Sequence, residues 1–160
     1  MSAYKFHFHT ASKKILGDLI TPVSAYLKVR DAYPQSALME SSDYHGGENA
    51  KSFIALHPIA SVSIEHGTGF CRFPDGKEEH FKIDKNYDTA RLISDFLTCF
   101  GIEGNDVNYC GLYGYTTFNA VRYFENIAVK DKAVYLPVYR TMFIEIQQFP
   151  EDLIFRVEAI

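Results

Sequence analysis

An α+β fold, a mostly antiparallel sheet with helices packed on one face, is predicted by three observations. Apolar and polar residues alternate in short runs, Gly- and Pro-marked turns separate those runs, and a few segments carry helical spacing. The composition agrees. Of 160 residues, 47% are hydrophobic and 22% charged, the balance of an ordinary globular protein and not of a disordered, collagenous or coiled-coil chain. A single domain over residues 1–160 is expected, because a chain of this length can build a core without a metal or disulfide staple.

The first element is a strand. Tyr4, Phe6 and Phe8 alternate with Lys5, His7 and His9, so the two histidines share one face and read as solvated strand residues. Thr21-Pro22 then opens a helix: Thr21 can cap the free amides, Pro22 suits the first turn, and Val23, Tyr26, Leu27 and Arg30 fall at i, i+3, i+4 and i+7. That helix ends before Pro34. Ala37 to Ser42 reads as a short buried strand, the segment from Tyr44 to Asn49 as a loop, and Ser52 to His57 as a further strand.

Ile59 to His66 alternates with Val62 and Ile64 inward. Gly67-Thr68-Gly69 offers a tight reversal into Phe70 to Phe73, Asp75-Gly76 marks the next turn, and Phe81 and Ile83 belong to a third strand of an antiparallel meander. Asp88 can cap a second helix whose apolar stripe is Leu92, Ile93, Phe96, Leu97 and Phe100, with Gly101 placed to stop it. Tyr109 to Tyr115 suits a buried strand, and Thr117 starts a helix running through Phe118, Val121, Arg122 and Glu125. Two strands close the chain, Val138 to Gln147 and Leu153 to Ile160, with a turn at Pro150-Glu151-Asp152. The last one stops at Ile160 without a turn or a polar tail, which predicts a sheet continued by a further C-terminal region.

Lys plus Arg total 16 against 20 Asp plus Glu, a formal charge of −4. A nucleic-acid partner is therefore not expected, since binding to a phosphate backbone runs on clustered positive charge. No run approaches the ~20 apolar residues of a membrane span, and the N-terminus has no apolar core of a signal peptide. Cys71, Cys99 and Cys110 are odd in number and lack metal-ligand spacing, which fits reduced thiols in a cytoplasmic protein. The 13 Phe and 11 Tyr, with no Trp, read as a thick aromatic core.

Catalytic signatures are absent. There is no Gly-x-Ser-x-Gly elbow, no phosphate loop and no two-cysteine zinc pair, and Gly67-Thr68-Gly69 has Arg72 where a dinucleotide loop needs its third glycine. Nothing places a histidine beside Cys110 to activate it. The one polar interruption of buried strands is Leu38-Met39-Glu40-Ser41-Ser42-Asp43, with Lys51-Ser52 after the loop. A carboxylate, a hydroxyl and an ammonium on neighbouring strand ends can grip a zwitterion, Glu40 taking its amino group and Lys51 or Ser41 its carboxylate. The plainer reading pairs Glu40 with Lys51 at a rim.

Thr21-Pro22-Val23-Ser24, the tetrad Leu38-Met39-Glu40-Ser41 with Lys51-Ser52 behind it, and Gly111-Leu112-Tyr113-Gly114-Tyr115 running into Val121-Arg122-Tyr123-Phe124-Glu125 resemble, in order and spacing, the N-terminal region of anthranilate synthase component I. Met39 stands where the family usually has a second leucine, a swap that conserves volume. The resemblance implies part of a lyase of tryptophan biosynthesis that converts chorismate and ammonia to anthranilate and pyruvate. Magnesium and the chorismate-binding residues are then expected in the C-terminal region, with no catalytic residue, cofactor or metal site in this chain. It further implies that Glu40, Ser41 and Lys51 line a feedback site for L-tryptophan, that a glutamine amidotransferase subunit (component II) is a partner, and that the sheet is completed as a layered sandwich by the chain's own C-terminal region. Without that region the chain is expected to self-associate. Aminodeoxychorismate synthase component I of folate synthesis shares the fold and is the nearest rival. A small-molecule-binding or interaction domain that never had a catalytic half is the rival from another class.

Overall fold

The period-two runs become strands and the capped segments become helices. A computed structural model describes residues 6–11, 13–16, 19–40, 52–104, 107, 110–127, 139–145, 148–149 and 152–155, with backbone alone for 13–16 and from 139 onward. In chain order the elements are β1 (Phe6–Thr10), β2 (Lys13–Leu16), α1 (Pro22–Val29), β3 (Ala37–Glu40), β4 (Ser52–Glu65), β5 (Thr68–Arg72), β6 (Glu78–Lys82), α2 (Thr89–Leu97), β7 (Phe100–Gly104), β8 (Gly111–Thr116), a 3₁₀ helix (Phe118–Tyr123), β9 (Tyr139–Glu145), β10 (Gln148–Phe149) and β11 (Asp152–Phe155). This is the expected α+β fold, rich in strands and poor in helices. Every pair whose register is described is antiparallel.

The chain divides into two compact units, and β4 runs from one into the other at Pro58–Ile59. One unit holds Met1–His7, Ile59–Gly101 and Leu112–Phe143. Its centre is the meander of β4, β5 and β6, with Ser61 opposite Arg72, Glu65 opposite Thr68, and Cys71 opposite Glu79. Val62 and Ile64 are buried, as their alternation predicts. The reversal falls one step earlier than the glycine pattern implies. His66 and Gly67 are the two turn residues, at φ 48° and 76°, and two positive φ values in a two-residue loop are the geometry that matches strand twist. Gly69 instead lies inside β5, where a Cβ would run into the Leu92 side chain of α2. The missing side chain lets the helix sit down on the strand.

α2 is capped as predicted: the Asp88 carboxylate accepts from the Arg91 amide at 2.8 Å. Its end differs. The helix stops at Leu97, with Thr98 as the C-cap, and Phe100-Gly101 begins β7 instead of closing the helix. Leu92, Phe96 and Phe100 are buried all the same, while Leu97 is exposed. Phe6, Phe73, Phe96 and Phe100 form one aromatic cluster, with ring centroids 5.1 to 5.7 Å apart between successive neighbours, so the phenylalanines fill this core as the composition implies. The segment after Thr117 is a 3₁₀ helix where an α-helix was expected, and Thr117 makes no side-chain cap.

The other unit holds Phe8–Pro58, Ile102–Gly111 and Ile144–Ile160. α1 opens with a full capping box: the Thr21 hydroxyl accepts from the Ser24 amide at 3.1 Å, and the Thr21 amide donates to Ser24 Oγ at 3.0 Å. Its half-buried side is Ala25, Tyr26 and Val29, which with Ile20, Leu38 and Leu56 pack on Ile54. Val23 and Leu27 of the anticipated stripe are exposed. β4 is one strand of 14 residues where two were expected. His57, at φ 52°, absorbs the irregularity ahead of Pro58, which a regular ladder interior would not accept. Lys13–Leu16, which carries no alternation, pairs with β11 from Leu16 opposite Asp152 to Lys13 opposite Phe155. The expected strand positions Ser41, Ser42, Tyr109 and 156–160 lie outside the described residues.

Candidate ligand-binding site

β3 is positioned by its ladder with β4: Ala37 is opposite Ala55, Leu38 opposite Ile54, Met39 opposite Phe53, and Glu40 opposite Ser52. Residues facing each other across an antiparallel pair share a face, and so do residues two apart along one strand. Leu38 and Ile54 lie under α1 and form its core. The Glu40–Ser52 pair is thus the next row outward on that same face. The burial gradient follows: Ile54 is buried, Ser52 half-buried and Glu40 exposed. A carboxylate therefore stands at the end of an apolar strand with a hydroxyl directly across from it, and among the described residues Glu40 has no cation within ion-pair distance. On the other side of Ser52, Phe149 of β10 holds the matching register position.

Of the three residues expected to grip a ligand, the structure places Glu40 at the strand end; Ser41 and Lys51 lie outside the described residues. Ser52 was quoted beside Lys51 in the sequence motif but given no ligand role, because its position opposite Glu40 depends on a register that no local pattern reveals. The third motif, Gly111 to Glu125, forms β8 and the 3₁₀ helix. There the Gly67 amide donates to the Tyr123 hydroxyl at 3.0 Å, so Tyr123 holds the tip of the β4–β5 hairpin.

Cys71, Cys99 and Cys110 form no disulfide with one another. Burial first, and then the nearby Glu79 and Cys99, push the Cys71 thiol up to about 12, which makes it a poor nucleophile at neutral pH. Tyr87 is likewise pushed up to about 12, by desolvation and by the hydrogen bond its phenol donates to Asp95 at 2.9 Å. Among the described residues no three His, Cys, Asp or Glu come together to hold a metal ion, and no helix is long and apolar enough to cross a membrane.

The fold is that of an antiparallel α+β protein in which Glu40 and Ser52 form the last described rung of the β3–β4 ladder. In sequence the chain is similar to anthranilate synthase component 1 of Methanothermobacter marburgensis, with 25% identity over 111 residues. The match covers 69% of this chain and 23% of that protein. No family model matches. This distant likeness agrees with the family that the motifs resemble.

Proposed function

We propose that the chain is the N-terminal regulatory part of an anthranilate synthase component I, the lyase that converts chorismate and ammonia to anthranilate and pyruvate. The similarity to a protein of that name over 111 residues is the observation that carries the reading. The order of the three sequence motifs supports it. In this reading the chorismate-binding residues and magnesium belong to a C-terminal region outside this sequence, ammonia comes from a glutamine amidotransferase subunit, and the protein works in the cytoplasm with its thiols reduced.

Glu40, Ser41 and Lys51 then form the N-terminal side of a tryptophan feedback site. Tryptophan inhibits by binding one arrangement of the N- and C-terminal regions better than another, since equal affinity for both would shift nothing. Val23 and Leu27 in one unit and Phe118, Phe124 and Ile127 in the other are exposed, as fits surfaces that meet the rest of a larger subunit. Alone, the chain self-associates through such surfaces.

The test is the full-length gene product, assayed for anthranilate fluorescence with chorismate, magnesium and ammonia, with and without tryptophan. Anthranilate formation inhibited by tryptophan is the expected result. Aminodeoxychorismate in place of anthranilate would move the protein to folate synthesis, and no turnover of chorismate at all would leave a binding domain.

A further inference from the structure

We infer that the outer edge of β6 is a contact between two copies of the chain, which pair antiparallel about His80 with Glu78 of each copy opposite Lys82 of the other. β6 ends the strand order β6-β5-β4-β9-β8, and among the described residues no strand lies on its other side. The backbone bonds fix which residues face that edge. The Ile83 amide donates to the Gly67 carbonyl at 2.8 Å and the Phe73 amide to the Lys77 carbonyl at 2.9 Å, and β5 pairs with β6 in unbroken register from Thr68–Lys82 to Arg72–Glu78. Bonding alternates along an antiparallel strand, so Lys77, Glu79, Phe81 and Ile83 turn their backbone groups to β5, while Glu78, His80 and Lys82 turn theirs outward. All three outward residues are exposed. Among the described residues neither Glu78 nor Lys82 forms an ion pair.

Charge on an edge strand ordinarily keeps other strands away, but its order along β6 suits a second copy. Related by a two-fold axis at His80, the two strands make three hydrogen-bonded rungs, with a Glu78–Lys82 pair at either end on one face. A shift of two residues one way sets Glu78 opposite Asp84 and His80 opposite Lys82. The opposite shift sets Lys82 against Gly76, outside the strand. One register therefore uses every outward residue and matches both charges. A contact of 5 residues a side is smaller than a standard interface, so the dimer is weak and concentration-dependent. It needs neither the exposed apolar residues nor the enzymatic reading above.

Sedimentation velocity on the full-length protein at rising concentration tests the contact. The unaltered protein is expected to pass from monomer to dimer, with a dissociation constant that rises with salt. Glu78→Lys and Lys82→Glu each set like charges together at both ends, and each is expected to raise that constant about tenfold or more. Mixing the two variants brings opposite charges together again at both ends and is expected to restore the dimer. Within the chain Lys82 faces the uncharged Thr68, so Lys82→Glu brings no new repulsion into the fold. His80→Pro removes an outward amide that the β5 ladder does not use, and is expected to abolish pairing with the melting temperature little changed. A protein monomeric at every concentration would overturn the inference, as would a mixture no more associated than its components. Association through the exposed apolar residues would ignore all three variants, and a dimer that does so sinks the β6 contact.

Discussion

The Tyr123 hydroxyl accepts the amide hydrogen of Gly67 at 3.0 Å, tying the 3₁₀ helix after β8 to the turn between β4 and β5. The Gly67 carbonyl, on the same peptide-bearing residue, accepts from the Ile83 amide at 2.8 Å. A single turn residue is thus held from two sides, and both partners come from later in the chain. Removing the phenol oxygen leaves a part-buried amide without its acceptor. Tyr123→Phe is expected to lower stability by about 1–2 kcal/mol, with faster hydrogen exchange at Gly67. Urea unfolding and amide exchange followed by NMR check both. An unchanged exchange rate at Gly67 would show that the hydroxyl is not what protects it.

Gly104 and Gly67 both have positive φ, 122° and 76°, yet their surroundings differ. A Cβ on Gly104 would press into Thr10, 2.7 Å from its carbonyl oxygen and also against its hydroxyl, whereas a Cβ on Gly67 meets nothing within 4 Å. Thr10 is buried, so it cannot swing away cheaply. Gly67→Ala is expected to cost only the backbone strain of the left-handed region, about 1–2 kcal/mol. Gly104→Ala adds a steric clash to that strain and is expected to cost more than about 3 kcal/mol. Paired denaturation curves decide it, and equal losses would mean that Thr10 yields.

Much of the fold was legible because local chemistry and tertiary packing agree. The cap at Thr21, the cap at Asp88, and the inward Val62 and Ile64 are all in place. The misses occur where tertiary packing overrode a local signal. Phe100 continues the i, i+4 spacing from Phe96, so it read as helix; it enters β7 and reaches the same aromatic cluster from a strand. His66 is a weaker signal for positive φ than glycine, so the glycines after it marked the turn, while the pairing of Glu65 with Thr68 moves it back. The strands expected at Ser52 to His57 and Ile59 to His66 are one, because the His57 backbone carries β4 past Pro58. At the candidate site, Glu40 was legible as a carboxylate on an apolar strand, whereas the place of Ser52 directly opposite it became visible only through the β3–β4 register.

Folding favours the protonated Cys71 thiol, whose pKa rises from 9.0 to about 12, chiefly by burial. Below pH 9 the thiol is protonated in both folded and unfolded chains, and its contribution to stability is fully present. As pH rises from 9 toward 12 the unfolded chain loses the proton first, so stability falls, by at most about 1.4 kcal/mol per pH unit for this one group. Tyr87, raised from 10.0 to about 12, adds a loss of the same sign above pH 10. Urea midpoints are therefore expected to hold level from pH 7 to 9 and then fall, with a shallower decline in Cys71→Ala. An identical slope in that variant would assign the alkaline loss to other groups.

The feedback reading makes its own demand on Ser41 and Lys51. Neither is needed for chemistry if the reacting centre lies in the C-terminal region, so their replacement should separate regulation from turnover. In the full-length protein, Ser41→Ala and Lys51→Ala are each expected to raise the tryptophan concentration for half-inhibition by about tenfold or more, the usual cost of removing one charge-assisted hydrogen bond. The rate of anthranilate formation without tryptophan is expected to change less than about twofold, because groups that touch only the inhibitor do not enter transition-state binding. The isolated chain, which offers one side of the site, is expected to bind tryptophan far more weakly than the whole subunit, since each added contact is lost together with the surface that supplies it. Micromolar binding by the isolated chain would place the whole site within these 160 residues, and loss of turnover with inhibition intact would put Ser41 and Lys51 in the reaction itself.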